Sequence, residues 1–242
     1  MDEQKETGPA KSSSLTIPIA IILAGVIIAG AVYLRGPTGT NNQAQVDQFK
    51  VENKDIVIKP VSADDHILGN PNADIVVVEY SDTECPFCKN FHKSMQQLVA
   101  EYGKNGKVAW VYRHFPIEQL HSKAAKEAEA TECAADVGGK SKFWDYIGKV
   151  FEVTPSNDGL DPAELLVIAG NLGLDKTAFQ NCLNSGKFTK KIADSIKEAQ
   201  DAGAQGTPYS VIVDKKGNTY PIDGSVPYAD LKSVVDGILK GK

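Results

Sequence analysis

The sequence predicts an α/β domain around a mixed central sheet, preceded by one apolar segment long enough to span a membrane. Three observations carry this. Residues 15–34, "LTIPIAIILAGVIIAGAVYL", are uncharged and almost wholly apolar. From about residue 53 strand-like and helix-like patterns alternate as βαβ. After a long helical stretch the chain returns to strands and ends as ββα, so a parallel pair that needs a crossover is joined by an antiparallel hairpin.

The elements follow in order. Residues 1–14 read as an N-terminal tail. As a helix rising about 1.5 Å per residue, residues 15–34 would cross a hydrocarbon core of roughly 30 Å. The competing reading is a secretory signal peptide cleaved after Ala29-Gly30-Ala31, but the run is longer than the usual apolar region of roughly 7–15 residues. Either reading exports the chain. Lys5, Lys11 and the amino terminus stand before the segment and Arg35 after it, which leans toward a cytoplasmic tail and an extracytoplasmic domain. Residues 35–52 are polar and lack apolar periodicity, as in a flexible tether reaching roughly 20 Å. The net charge is −5, with 26 Lys and Arg against 31 Asp and Glu. These charges are interspersed, so the chain offers no basic surface for nucleic acid.

Residues 53–242 form the expected domain. "IVIKPV" (56–61) is a short strand candidate, and "ADIVVVEYS" (73–81) has the continuous apolar character of a buried central strand. In "CKNFHKSMQQLVAEYG" Phe91, Met95, Leu98 and Tyr102 recur at helical spacing up to Gly103. "KVAWVYRHFPI" is a second apolar strand, ended by Pro116. From about 118 to 203 the pattern is helical, punctuated by Gly138-Gly139, Pro155 and Gly170–Gly173. "TPYSVIVDKKGNTYPIDG" reads as a hairpin turning at Lys215–Asn218. The last stretch is an amphipathic helix carrying Leu231, Val234, Val235 and Leu239 on one face.

The chemistry centres on Cys85-Pro86-Phe87-Cys88, where the 73–81 strand gives way to a helix. Cys85 at the helix N-cap puts Pro86 at the first helical position, where its fixed φ fits and its missing N–H costs nothing. The unpaired N–H groups of the first turn and the positive end of the helix dipole then face the Cys85 sulfur. Such sites lower a cysteine pKa to between ~3.5 and ~7.5. Cys88, one turn on, faces inward within disulfide reach, and the closed loop is so short that crosslinking it stabilises little. Zinc would require two further ligands, and Cys133, Cys182, His66, His92, His114 and His121 show no ligand spacing. Neither a metal nor a cofactor is expected. A reactive CxxC beside a βαβ pattern is the stronger reading than a zinc site or a structural staple. In an oxidising compartment Cys133 and Cys182 most simply pair in a structural disulfide; two buried free thiols are the alternative.

The motifs "DDHILGNPNADIVVVEYSDTECPFCKNFH", "VYRHFPIEQLHSKAAKEAEATECA", "KFWDY", "GTPYSVIVD" and "DGSVPYADL" make the chain resemble the DsbA-like thiol–disulfide oxidoreductases with a thioredoxin fold, in particular the membrane-anchored thioredoxin-4 type. The resemblance covers nearly all of residues 62–240. It implies that the helical stretch at about 118–203 is an insertion into the thioredoxin core. It implies a cis peptide at Thr207-Pro208, lying against the active disulfide where a substrate strand pairs. It also implies an acid beneath the disulfide, and Glu79 occupies that position. A carboxyl inside an apolar strand has a raised pKa and suits proton exchange with Cys88. Asp82 and Glu84 are expected to be solvated. The strongest oxidants of the family carry His where this chain has Phe87, which predicts a less depressed Cys85 pKa and leaves isomerase or reductase work open beside oxidation. A non-catalytic peptide-binding module is a further alternative, against which the intact pair of cysteines argues. The implied substrates are exported proteins with free thiols or disulfides, and the implied redox partner is a quinone-linked membrane oxidase.

Overall fold

The computed structural model describes residues 51–241. The expected tail and apolar anchor at 1–34, and all but the end of the tether, lie outside the described residues. Among the described residues no helix is long and apolar enough to cross a membrane.

Five strands form one sheet in the order β1-β3-β2-β4-β5: β1 His66–Leu68, β2 Ile75–Ser81, β3 Val108–His114, β4 Tyr209–Asp214 and β5 Thr219–Asp223. β2 and β3 run parallel, with Ile75 opposite Val108 and Ser81 opposite His114. The other neighbours are antiparallel. The crossover from β2 to β3 is α1, Pro86–Tyr102, which buries Cys88, Phe91, Met95, Leu98 and Tyr102. The β4–β5 turn is held by Asp214, whose carboxylate accepts from the Lys216 and Asn218 N–H groups, and Gly217 supplies the positive φ of 83° that the turn requires.

Because side chains alternate along a strand, the two faces of the sheet carry different cores. One face, with Ile75, Val77, Trp110, Tyr112 and Ile212, packs on α1, on Phe143, Ile147 and Phe151, and on α7, Tyr228–Leu239, through Leu231 and Val235. The opposite face, with Val78, Tyr80, Val111 and Val211, packs on Ala199 and Ala202. Each large apolar side chain buried in this way contributes about 1.5–3 kcal/mol.

Between β3 and β4 the chain is helical: α2 Ala124–Gly138, α3 Lys140–Val153, α4 Glu164–Asn171, α5 Lys176–Ser185 and α6 Thr189–Asp201. This block has its own core, including Ala130, Tyr146, Val150, Leu165, Ile168 and Phe179. Cys133 on α2 and Cys182 on α5 are disulfide-bonded, with Cα atoms 5.8 Å apart. Residues 56–61 do not form the expected strand. Ile56 N–H bonds Lys54 O and Thr219 Oγ1, and Ile56, Ile58 and Val61 pack on the core without a ladder of their own. Short β1 instead forms the sheet edge, pairing with β3 from His66 to Leu68.

Candidate functional site

The C-terminal end of β2 delivers the chain into a short turn, residues 82–85, and then onto the N-terminus of α1. Cys85 is the N-cap in extended conformation, followed by Pro86 in the first turn. Its carbonyl accepts from Lys89 N–H, opening the helix. The sulfur makes no full capping hydrogen bond, yet the Phe87 and Cys88 N–H groups face it. Cys85 is only 5% exposed, whereas Phe87 is 63% exposed. The reacting sulfur therefore sits in a recess beside a protruding aromatic ring. Both cysteines are free thiols.

The two sulfurs occupy opposed environments. Cys85 is lowered to about 6, chiefly by the Cys88 thiol donating to it; burial opposes this, and the Thr207 hydroxyl and first-turn N–H groups assist. Cys88 is fully buried, and burial pushes its thiol well above the usual range, reinforced by the Cys85 and Glu79 charges. Its sulfur lies 3.4 Å from the Asp82 N–H. The Thr207-Pro208 peptide is cis, and the Thr207 carbonyl oxygen lies 3.4 Å from the Cys85 sulfur, close enough to accept from the thiol.

Glu79 is fully buried on the face of β2 that α1 covers. Trp110 Nε1–H donates to its Oε2 at 2.8 Å, while Oε1 has no partner. Burial raises its pKa to about 7 against the opposing pull of the neighbouring Ser81 side chain and the Trp110 N–H, with the Cys85 charge adding to the rise. Across the sheet Glu79 stands opposite Tyr112 on β3 and Ser210 on β4. The Tyr112 hydroxyl, the Ser210 hydroxyl and the Ser81 hydroxyl are buried without hydrogen-bond partners. A polar rung thus crosses an otherwise apolar sheet beneath Cys88. Sequence reading missed Tyr112, Ser81 and Ser210. The signal was available in the period of two, which puts Ser81 on the face of Glu79.

Asp82 and Glu84 are not solvated; they are 1% and 0% exposed. Asp82 accepts from the Glu84 and Ile117 N–H groups at 2.8 Å and pairs with His121 Nδ1 at 2.9 Å. Glu84 accepts from Thr154 Oγ1 and from the Gly159 and Leu160 N–H groups. Glu127 on α2 lies against Glu84, and burial with that neighbouring carboxyl raises it to about 8. Cys133 and Cys182 lie in the helical block and outside this group of residues. His66 and His114 both bond Glu132, and His92 is buried beside Trp110 and Phe151. Among the described residues no group of His, Cys, Asp and Glu could hold a metal ion.

A thioredoxin-type sheet interrupted by a helical block, with a CxxC at the first crossover helix, defines a DsbA-like fold. Comparison with known proteins agrees. The family model Thioredoxin_4, described as thioredoxin, matches residues 62–237, and the chain belongs to that family. Among solved structures, DsbA2 of Pseudomonas aeruginosa is 28% identical with a TM-score of 0.62, over 74% of this chain and 97% of that one. BdbD of Bacillus subtilis, in its oxidised form, superposes with a TM-score of 0.65 at 22% identity, over 77% of this chain and all (100%) of that one, a likeness of fold. Among curated proteins, the Na(+)/H(+) antiporter NhaA 3 of Salinispora tropica is 35% identical over 150 residues, 62% of this chain and 22% of that protein. NhaA 1 of Mycolicibacterium vanbaalenii is 32% identical over 63% of this chain and 24% of that protein. The chain spans about a fifth to a quarter of the length of these antiporters, so the likeness concerns that portion of them alone.

Proposed function

We propose that the chain is an extracytoplasmic thiol–disulfide oxidoreductase, tethered to the cell membrane by residues 15–34, that introduces or exchanges disulfides in exported proteins. The observation that carries this reading is the asymmetry of the two sulfurs. Cys85 is held toward thiolate at a helix N-terminus, while Cys88 is buried and held as a thiol above a carboxyl that titrates near neutrality.

In the oxidising direction a substrate thiolate attacks the Cys85 sulfur of the Cys85–Cys88 disulfide. A mixed disulfide forms and the Cys88 sulfur leaves with the electron pair, taking a proton from Glu79. A second substrate thiolate then attacks the substrate sulfur of the mixed disulfide. Cys85 leaves as a thiolate, a departure favoured by its low pKa. Substrate is oxidised by two electrons and the cysteine pair is reduced. In the reverse direction the Cys85 thiolate attacks a substrate disulfide. Glu79 removes the Cys88 proton, and Cys88 resolves the intermediate. The backbone at Thr207-Pro208 positions the substrate strand beside Cys85. Reoxidation by a quinone-linked membrane oxidase follows from family likeness. The exposed Phe87 between the cysteines supports exchange in both directions, so isomerase or reductase work stands as the second reading.

The test is trapping. Cys88→Ser should accumulate mixed disulfides with disulfide-bonded peptides, the peptide's other sulfur leaving as a thiolate, and Cys85→Ser should accumulate none. Equal trapping by both, or no exchange with glutathione by the wild-type protein, would overturn the reading.

A further inference from the structure

The surroundings of Cys85 are strongly acidic. Asp82 and Glu84 lie in the turn before it, Glu79 below it, Glu127 on α2, and Asp158 in the segment between α3 and α4. The neighbouring lysines are committed elsewhere. Lys89 Nζ donates to the Thr154 carbonyl, and Lys123 Nζ to the Asp158 and Leu160 carbonyls. Phe87, between the cysteines, carries no charge. An acidic setting of this kind opposes a thiolate.

One cationic side chain enters this setting, and it is fixed by backbone geometry. His121 N–H bonds the Ile117 carbonyl at 2.9 Å, and Ala124 N–H bonds the His121 carbonyl at 3.2 Å. This turn aims the ring at Asp82, Nδ1 to Oδ2 at 2.9 Å, with His121 6% exposed and Asp82 1% exposed. Nε2 has no hydrogen-bond partner among the described residues and is not among the occluded polar atoms. Asp82 is itself joined to both sulfurs' surroundings. Its N–H lies against Cys88 Sγ, its carbonyl accepts from Cys85 N–H at 3.2 Å, and its Oδ1 holds the Glu84 N–H.

We propose that His121 is a positioning residue for the exchange reaction: as the imidazolium bonded to Asp82, it cancels a buried carboxylate of the turn that leads into Cys85 and so keeps Cys85 a thiolate. The proposal rests on the oxidoreductase reading for its purpose, but its physical content is the coupling of two ionisations. Burial works against the imidazolium. The Asp82 carboxylate outweighs it, with Cys85 and Asp158 adding, and His121 is lifted above its ordinary value. The charge that the Pro86-Phe87 dipeptide lacks is therefore supplied from the start of the helical block, on the far side of Asp82. Coupling must be reciprocal, since each charge stabilises the other by the same free energy.

The experiment uses the reduced full-length chain. Thiolate absorbance near 240 nm, followed against pH, gives the Cys85 midpoint in wild type, His121→Gln, Asp82→Asn and the double variant. Gln keeps a donor for Asp82 without the charge. His121→Gln should raise the Cys85 proton-binding constant about ten-fold, and the double variant should return it to within about two-fold of wild type. A merely structural role would leave the double variant no closer to wild type than His121→Gln alone, and that result would overturn the proposal. Should His121→Gln fail to fold, the wild-type protein still decides. The His121 ring titration, read by NMR before and after iodoacetamide blocks Cys85, should move to lower pH by the same factor, about ten-fold in its proton-binding constant. An unmoved titration would overturn the proposal. Glutathione exchange by the wild type is scored separately. Its failure would sink the oxidoreductase reading while leaving the measured coupling in place, whereas normal exchange with an uncoupled His121 would sink this proposal alone.

Discussion

Replacing Glu79 with Gln tests whether the carboxyl beneath Cys88 carries the electrostatic cost that its burial implies. Glu79 rises from 4.5 to about 7 on folding, which at ~1.4 kcal/mol per pKa unit corresponds to about 3 kcal/mol. Its pKa is raised in the folded state, so its stabilisation is complete below 4.5. It is lost as pH climbs to about 7 and stays lost above that. Gln keeps the volume and can still accept from Trp110 Nε1–H through its carbonyl oxygen. Its amide can reach the unpartnered Ser81 hydroxyl but leaves one N–H unsatisfied, costing about 1 kcal/mol. The variant should therefore be about 1 kcal/mol less stable than wild type near pH 4 and about 2 kcal/mol more stable near pH 8.5. Glu127, raised to about 8, titrates in both proteins and cancels in the difference. Urea unfolding at a series of pH values, with Cys85 and Cys88 kept as thiols, measures this directly. If the two stability curves run parallel to within about 1 kcal/mol from pH 4 to 8.5, Glu79 is not the buried, neutral acid described above.

The same Glu79→Gln variant should release trapped substrate more slowly in stopped-flow exchange, because Cys88 loses the group that takes its proton, while initial attack at Cys85 changes much less. Removing the Cys133–Cys182 bond by a double Ala substitution opens a 49-residue separation. By loop-closure entropy that should cost about 4 kcal/mol, seen as a lower urea midpoint with exchange at Cys85 retained. The full chain should remain in the membrane fraction after carbonate washing, with protease reaching the domain only from outside. Recovery of a soluble form beginning near Val32 would identify the apolar segment as a cleaved signal peptide instead.

What was legible in the sequence was local. The apolar run of β2, the spacing of Phe91, Met95 and Leu98 on α1, the Gly217 turn and the Leu231–Val235 face each declare themselves within a dozen residues. What was not legible depended on partners far along the chain. The 56–61 segment has strand composition, yet it has no neighbour to pair with because β1 takes the edge of β3. Asp82 and Glu84 have the composition of a solvated turn. They are buried because the N–H groups that satisfy them come from residue 117 and from residues 159 and 160, brought there by the helical block. His121 showed no ligand spacing to any other residue, and its relation to Asp82 exists only across that same fold. Acidic residues beside a reactive cysteine are thus the places where local pattern misleads, since their burial is decided by donors the pattern cannot see.

The position of Cys85 at the mouth of α1 also ties the integrity of the fold to its oxidation state. A thiolate there completes the helix end; the same sulfur in a disulfide carries no charge and leaves the first-turn N–H groups without that partner. The folded chain therefore favours its own reduced form, and a thermodynamic cycle converts this preference into oxidising power toward others. With Cys85 at about 6 when folded against 9.0 when unfolded, the gain is complete only above pH 9 and fades as pH falls through 6. At pH 7 it is no more than about 1.4 kcal/mol, equivalent to about 30 mV for two electrons, before water around the sulfur screens it further. Acidification of the surroundings would weaken the drive, and a more alkaline medium would strengthen it, with no change in any contact within the sheet.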